Sequence, residues 1–94
     1  MIFTPGHTDG ECVFLLPDRR VLFTGDALVT LDPYTGFTGP RIVARAGTKD
    51  AGQALASLAA LRSVEADSVL PGHGPAWRQG VEGAVQLALD HGVR

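Results

Sequence analysis

The stretch Glu11-Cys12-Val13-Phe14-Leu15-Leu16-Pro17-Asp18-Arg19-Arg20-Val21-Leu22-Phe23-Thr24-Gly25-Asp26 decides the fold. Two runs rich in Val, Phe and Leu flank a Pro-Asp-Arg-Arg segment of turn composition. That pattern predicts a β-hairpin with strands from Glu11 to Leu16 and from Val21 to Thr24. The apolar residues run consecutively instead of alternating with polar ones, so both faces of the hairpin are expected to be covered in the working state. A carboxylate, Asp26, follows the second strand directly.

Upstream, Ile2-Phe3-Thr4 leads into Pro5-Gly6, which reads as the last residues of a strand ending in a tight loop. The chain thus begins inside an element, and two expectations follow: an abbreviated version of something larger, or a short N-terminal strand. Downstream, Pro33, Gly36 and Gly39-Pro40 interrupt the segment from Val29 to Gly47, and no period persists. A long loop is expected there, one that shapes a binding site or covers a partner. Thr48 is the expected N-cap of a helix, with Asp50 in its first turn. Ala51, Ala54, Leu55, Leu58 and Leu61 recur at helical spacing, carrying that helix to about Arg62. Ser68-Val69-Leu70 reads as a short buried strand cut off by Pro71-Gly72. Val81, Ala84, Val85, Ala88 and Leu89 form a second helical stripe, and Gly92 just past His91 is a natural stop. The expected architecture is α/β: a mixed β-sheet with two helices on one face, in a single domain over residues 1–94.

Composition narrows the function classes. A chain of 94 residues makes one domain and buries only about 60 to 70% of its unfolded surface, so its core is thin. Hydrophobic residues at 45% and charged ones at 19% argue against intrinsic disorder. Eight Lys and Arg against ten Asp and Glu leave a formal charge of −2, and no basic run offers the footprint a nucleic acid or an anionic membrane needs. The single cysteine, Cys12, excludes an intrachain disulfide, so a metal, a partner chain or good packing must supplement the core. The longest apolar run, Cys12 to Leu16, is far short of a bilayer span, and no basic-then-apolar leader opens the chain. A soluble, cytoplasmic protein is expected.

The candidate chemistry sits at strand ends. His7 in Pro5-Gly6-His7-Thr8, Asp26 in Thr24-Gly25-Asp26-Ala27 and His73 in Pro71-Gly72-His73-Gly74-Pro75 each follow a predicted strand. Glycine beside the functional side chain allows a tight, rigid turn that aims it outward. If the strands share a sheet, two imidazoles and a carboxylate converge on one edge, a donor set suited to Zn, Fe or Mn. The plainer reading takes Pro-Gly-His as loop punctuation and Gly-Asp as turn chemistry, and spacing alone leaves both open. Other residues also have two readings. Asp9 and Glu11 flank the first histidine loop and either orient an imidazole or are solvated carboxylates. Trp77, Tyr34 and Phe37 either line a substrate pocket or fill the core or an interface. Cys12 reads as a small buried strand residue, Arg19 and Arg20 as a solvated turn, and His91 as a helix-end imidazole near the dipole or in water.

The wording of three motifs adds to this. Thr4-Pro5-Gly6-His7-Thr8, Thr24-Gly25-Asp26 and Leu70-Pro71-Gly72-His73-Gly74 resemble, in order and separation, the later metal motifs of the metallo-β-lactamase superfamily, particularly its hydroxyacylglutathione-hydrolase-like members. The resemblance implies the C-terminal half of a four-layer αββα sandwich. It also implies that His7 serves one metal, His73 the other, and that Asp26 bridges them as the catalytic carboxylate. The family's first motif, His-x-His-x-Asp-His, would lie upstream of Met1 and is absent from these residues. The implied activity is hydrolysis of a small thioester or ester by metal-activated water, with one or two Zn ions and Fe or Mn as alternatives. A non-catalytic half-domain that serves as an assembly unit or binds metal weakly is the rival expectation. A third is redox chemistry at iron, since two His and one carboxylate are also an iron ligand set. A missing half would leave Val13 and Leu15 or their neighbours, Phe14 and Leu22, uncovered. A homodimer or a separate N-terminal half-domain is therefore the expected partner.

Overall fold

The hairpin forms where the sequence places it. Strand β2 (Cys12–Leu16) pairs antiparallel with β3 (Val21–Gly25), setting Phe14 opposite Phe23, Leu15 opposite Leu22 and Leu16 opposite Val21. Residues Pro17 to Arg20 make the turn, in which the Arg19 and Arg20 amides donate to the Leu16 and Pro17 carbonyls. These elements come from a computed structural model that describes residues 2–8, 10–44 and 47–92. Strand β1 (Ile2–Phe3) pairs antiparallel with the outer side of β2.

After β3 the chain forms β4 (Val29–Leu31), β5 (Thr38–Arg41) and helix α1 (Ala51–Ala60), then returns as β6 (Ser68–Pro71) and ends on α2 (Val81–His91). Strand β6 adds parallel to β3, so the sheet is mixed, in the order β1-β2-β3-β6. One consequence places the site. Strand β1 is antiparallel to β2, β2 to β3, and β6 is parallel to β3, so β1, β3 and β6 all run in one direction. Their C-terminal ends, with the loops that follow, lie on a common edge.

The stretch expected as a structureless loop is instead a separate two-stranded sheet. Val29 pairs with Arg41 and Leu31 with Thr38, so two steps along β4 match three along β5. The extra residue is a bulge in the Gly39-Pro40 region, where a proline that lacks an N–H is tolerated. Asp32 closes the ribbon: its N–H donates to the Phe37 carbonyl, and its Oδ1 accepts from the Tyr34 N–H at 2.9 Å. The helix start is corrected as well. Thr48 does not cap α1, because its hydroxyl donates to the Val43 carbonyl at 2.8 Å. Asp50 takes the cap with extended backbone and accepts from the Gln53 N–H at 3.0 Å.

Alternation within the sheet sorts the side chains. Val13, Leu22 and Val69 are fully buried and point to the helix side. There they join Ala51, Ala54 and Leu58 of α1, the adjoining Leu61, and Val81, Ala84, Val85 and Ala88 of α2 in one cluster. Each large aliphatic side chain so buried stabilises the fold by about 1.5–3 kcal/mol. The opposite face is open: Phe14, Leu16 and Phe23 are 54%, 47% and 38% exposed. By register, Cys12, Val21 and Leu70 share this face. Thus Phe14 is uncovered as expected, whereas Val13 and Leu22 belong to the covered side. Cys12 is half-buried on the open face and is not a core residue.

Candidate metal centre

The common edge brings His7, Asp26 and His73 together. His7 Nε2 lies 3.3 Å from Asp26 Oδ2, and His73 Nδ1 lies 2.8 Å from Asp26 Oδ1. One carboxylate therefore sits between two imidazoles and offers each a different oxygen. All three side chains are partly solvent-accessible, His73 the most at 44% and His7 the least at 18%.

Each loop is fastened by backbone and hydroxyl contacts. The His7 loop lies against the start of α1, where the Asp50 amide donates to the Gly6 carbonyl at 2.7 Å and the Lys49 amide to the His7 carbonyl at 3.1 Å. The Ser57 hydroxyl donates to the Pro5 carbonyl at 2.7 Å. Asp26 sits in a turn closed by the Ala27 N–H on the Thr24 carbonyl, and the buried Thr24 hydroxyl donates to the Leu28 carbonyl at 2.7 Å. The His73 loop is pinned by β4. Thr30 donates through its N–H to the His73 carbonyl at 3.1 Å and through its hydroxyl to the Pro75 carbonyl at 2.6 Å. Gly72 lets the second and third loops meet, since a Cβ there would come within 2.6 Å of Asp26 Oδ1.

The donor set fits a divalent metal. Two imidazole nitrogens and a carboxylate are standard ligand types for Zn. His7 also keeps a buried Nδ1 without a hydrogen-bond partner, an unsatisfied donor or acceptor at the site. Among the described residues, however, no three His, Cys, Asp or Glu side chains close around one point as a ready cage. The two imidazoles approach separate oxygens of Asp26, so each nitrogen has its own carboxylate oxygen beside it.

The other candidates settle individually. Glu11 is tied to the main chain of the second loop, where its Oε1 accepts the Asp26 backbone N–H at 2.9 Å. Asp9 lies outside the described residues. His91 donates through Nδ1 to the Pro40 carbonyl, 2.7 Å away, an acceptor that fixes a proton on that nitrogen. Trp77 packs at the edge of the core with its indole N–H on the Gly80 carbonyl, whereas Tyr34 and Phe37 are exposed. Arg20 is not merely solvated: it makes a two-pronged ion pair with Asp67, at 2.8 and 3.2 Å. A groove of about 360 Å³ near the start of β6 is lined by Arg20, Arg62, Glu65 and Glu82 among others, at the opposite edge from the three ligand candidates. Its charges are of both signs. Sequence reasoning quoted Thr24 only as part of a motif and missed Thr30 altogether, though each carries a hydroxyl in an otherwise apolar stretch.

Comparison with known proteins bears on the family and the fold. The family described as the metallo-beta-lactamase superfamily matches residues 1–73. A hydroxyacylglutathione hydrolase of Brucella anthropi is 55% identical over 31 residues, which is 33% of this chain and 12% of that protein. Among solved structures, a metallo-beta-lactamase family protein from Thermus thermophilus superposes with a TM-score of 0.62 at 29% identity, over 95% of this chain and 28% of that one. A metallo-beta-lactamase superfamily protein from Sulfolobus tokodaii gives 0.67 at 20% identity, over 96% and 31%. A metallo-beta-lactamase from Pontibacter korlensis gives 0.64 at 23% identity, over 93% and 39%. The last two show likeness of fold. The chain spans less than two fifths of the length of each of these solved relatives.

Proposed function

Since the chain belongs to the metallo-β-lactamase superfamily, we propose that His7, Asp26 and His73 are metal ligands of a hydrolase acting on a small thioester or ester. The observation that carries this reading is the carboxylate of Asp26 held between two imidazoles at 3.3 and 2.8 Å. Zinc is the proposed metal, with Fe and Mn compatible with the same donors. When bound, such a metal supplies an activated water and Lewis acidity toward an acyl carbonyl. The protein's part is to hold the ligands. His7 and His73 each present a nitrogen from a loop tied down by main-chain bonds, and Asp26 presents two oxygens on opposite sides. The short similarity to a hydroxyacylglutathione hydrolase favours a hydroxyacyl thioester as substrate class.

The test is zinc content and thioester hydrolysis of protein purified without chelator. Close to one equivalent or more is expected, with loss of both metal and turnover in His73→Ala. Undiminished metal and hydrolysis in that variant would refute the assignment. A second reading, a non-catalytic assembly unit, is favoured by the lack of a ready three-ligand cage among the described residues and by the open sheet face. Metal-free wild-type protein would support it.

We further propose that the open face is covered by a second copy of this chain. By register, the side chains of β2, β3 and β6 on that face include no charged group, so two such faces stack without burying an unpaired charge. Sedimentation velocity should show a dimer at micromolar concentration, and a stable folded monomer would refute this. A cytoplasmic location is proposed from the one unpaired cysteine, Cys12, and is checked by cell fractionation. No helix among the described residues is long and apolar enough to cross a membrane.

A further inference from the structure

We propose that Glu11 is a positioning residue for Asp26, an inference that rests on the reading of Asp26 as a metal ligand. Glu11 stands just before β2 and is tied to two loops at once. Its backbone carbonyl accepts from the Thr4 N–H at 2.8 Å and from the Thr4 hydroxyl at 3.3 Å, at the root of the His7 loop. Thr4 is buried, so that anchor is fixed. Its side chain reaches across to the second loop, where Oε1 accepts the backbone N–H of Asp26 at 2.9 Å. A hydrogen bond from an amide to an ionised carboxylate is about twice as strong as a neutral one.

The neighbouring residue is shaped around this contact. Gly25 has φ +52, and a Cβ on it would lie 2.9 Å from Glu11 Oε1, so glycine at 25 is what lets the carboxylate reach the next amide. The Gly25 carbonyl in turn accepts from the Gly72 N–H at 2.6 Å, at the root of the His73 loop. The peptide joining Gly25 to Asp26 is therefore clamped on both sides: its carbonyl by the third loop, its N–H by Glu11. That peptide sets the direction in which the Asp26 side chain leaves the backbone. Glu11 acts through reach, placing an acceptor oxygen, and its contact is with a main-chain amide instead of an imidazole.

Reach and charge separate by substitution in the full chain. Glu11→Gln keeps the acceptor oxygen at the same distance and removes the charge. Glu11→Asp keeps the charge and withdraws the oxygen by one methylene. Zn affinity is read by competition with a chromophoric chelator, and the Asp26 amide by hydrogen exchange on metal-free protein. We expect Glu11→Gln to bind Zn within a few-fold of wild type, and Glu11→Asp and Glu11→Ala to bind about 10- to 100-fold more weakly, the range typical of outer-sphere partners of metal ligands. Exchange of the Asp26 amide should quicken in Glu11→Asp and Glu11→Ala and stay slow in Glu11→Gln. If Glu11→Ala fails to fold, the Gln and Asp pair carries the comparison. Wild-type Zn affinity in Glu11→Asp, or an Asp26 amide that exchanges no faster, overturns the positioning role alone. A wild-type chain that binds no Zn overturns the ligand assignment of Asp26, and this proposal with it.

Discussion

Replacing Thr24 by Val isolates one bond in the turn that carries Asp26. The side chain is fully buried, and its hydroxyl donates to the Leu28 carbonyl at 2.7 Å, bridging the turn from one end to the other. Val has nearly the same shape, so the change leaves no cavity to account for. It removes the donor and leaves the Leu28 carbonyl, on a residue that is itself fully buried, short of that partner. The loss of one buried hydrogen bond with an unsatisfied partner costs about 1–3 kcal/mol. For a domain of this size each kcal/mol lowers Tm by about 4–8 °C. Thermal unfolding followed by far-ultraviolet circular dichroism should therefore show a Thr24→Val midpoint lower by at least about 4 °C. Because the main-chain bond from the Ala27 N–H to the Thr24 carbonyl remains, the turn should survive and Zn affinity should fall less than in Glu11→Ala. A Thr24→Val protein as stable as wild type would refute the claim that this hydroxyl braces the turn.

Three further outcomes are expected. Leu22→Ala, at a fully buried position on the helix side of the central hairpin, should cost about 2–5 kcal/mol in urea unfolding, and a thin core should make it among the most damaging aliphatic truncations. Phe14→Thr with Phe23→Thr, on the open face, should shift the sedimentation profile from dimer to monomer while the far-ultraviolet spectrum stays that of a folded chain. Asp67 is hydrogen-bonded by Arg20, which holds its carboxyl below the ordinary value of 3.8. A carboxyl lowered by folding stabilises the native state above its unfolded value, and that contribution disappears as pH falls from about 4 through the lowered folded value. Asp67→Asn should therefore flatten the acid limb of stability against pH, by a small amount because the pair is exposed, and an unchanged acid limb would contradict it.

The sequence carried the parts of the fold that depend on near neighbours. Consecutive apolar residues from Cys12 to Leu16 and Val21 to Phe23 marked the hairpin, and the stripes at Ala51 to Leu58 and Val81 to Ala88 marked the two helices, because period and turn chemistry are local. The ribbon of β4 and β5 was hidden by Gly39-Pro40, residues that weaken a strand on propensity and are accommodated here by a bulge that only the partner strand defines. The cap passed from Thr48 to Asp50 because a contact with Val43 claimed the threonine hydroxyl. At the site, the three histidine and aspartate motifs were legible from their glycines and from their places after strands. The role of Glu11 was not, since its partner is a main-chain amide fifteen positions away that no side-chain pattern reports. The open face shows the same limit. A consecutive apolar run said that both faces want cover, yet only the pairing register told which residues, Phe14 and Phe23 instead of Val13 and Leu22, are left in solvent.

The most direct measurement is anomalous diffraction at the zinc absorption edge from crystals grown with Zn. The account predicts an anomalous peak at about 2.0–2.2 Å from a carboxylate oxygen of Asp26 and from a ring nitrogen of His7 or His73. Zinc bound elsewhere on the chain, with all three side chains left uncoordinated, would contradict it.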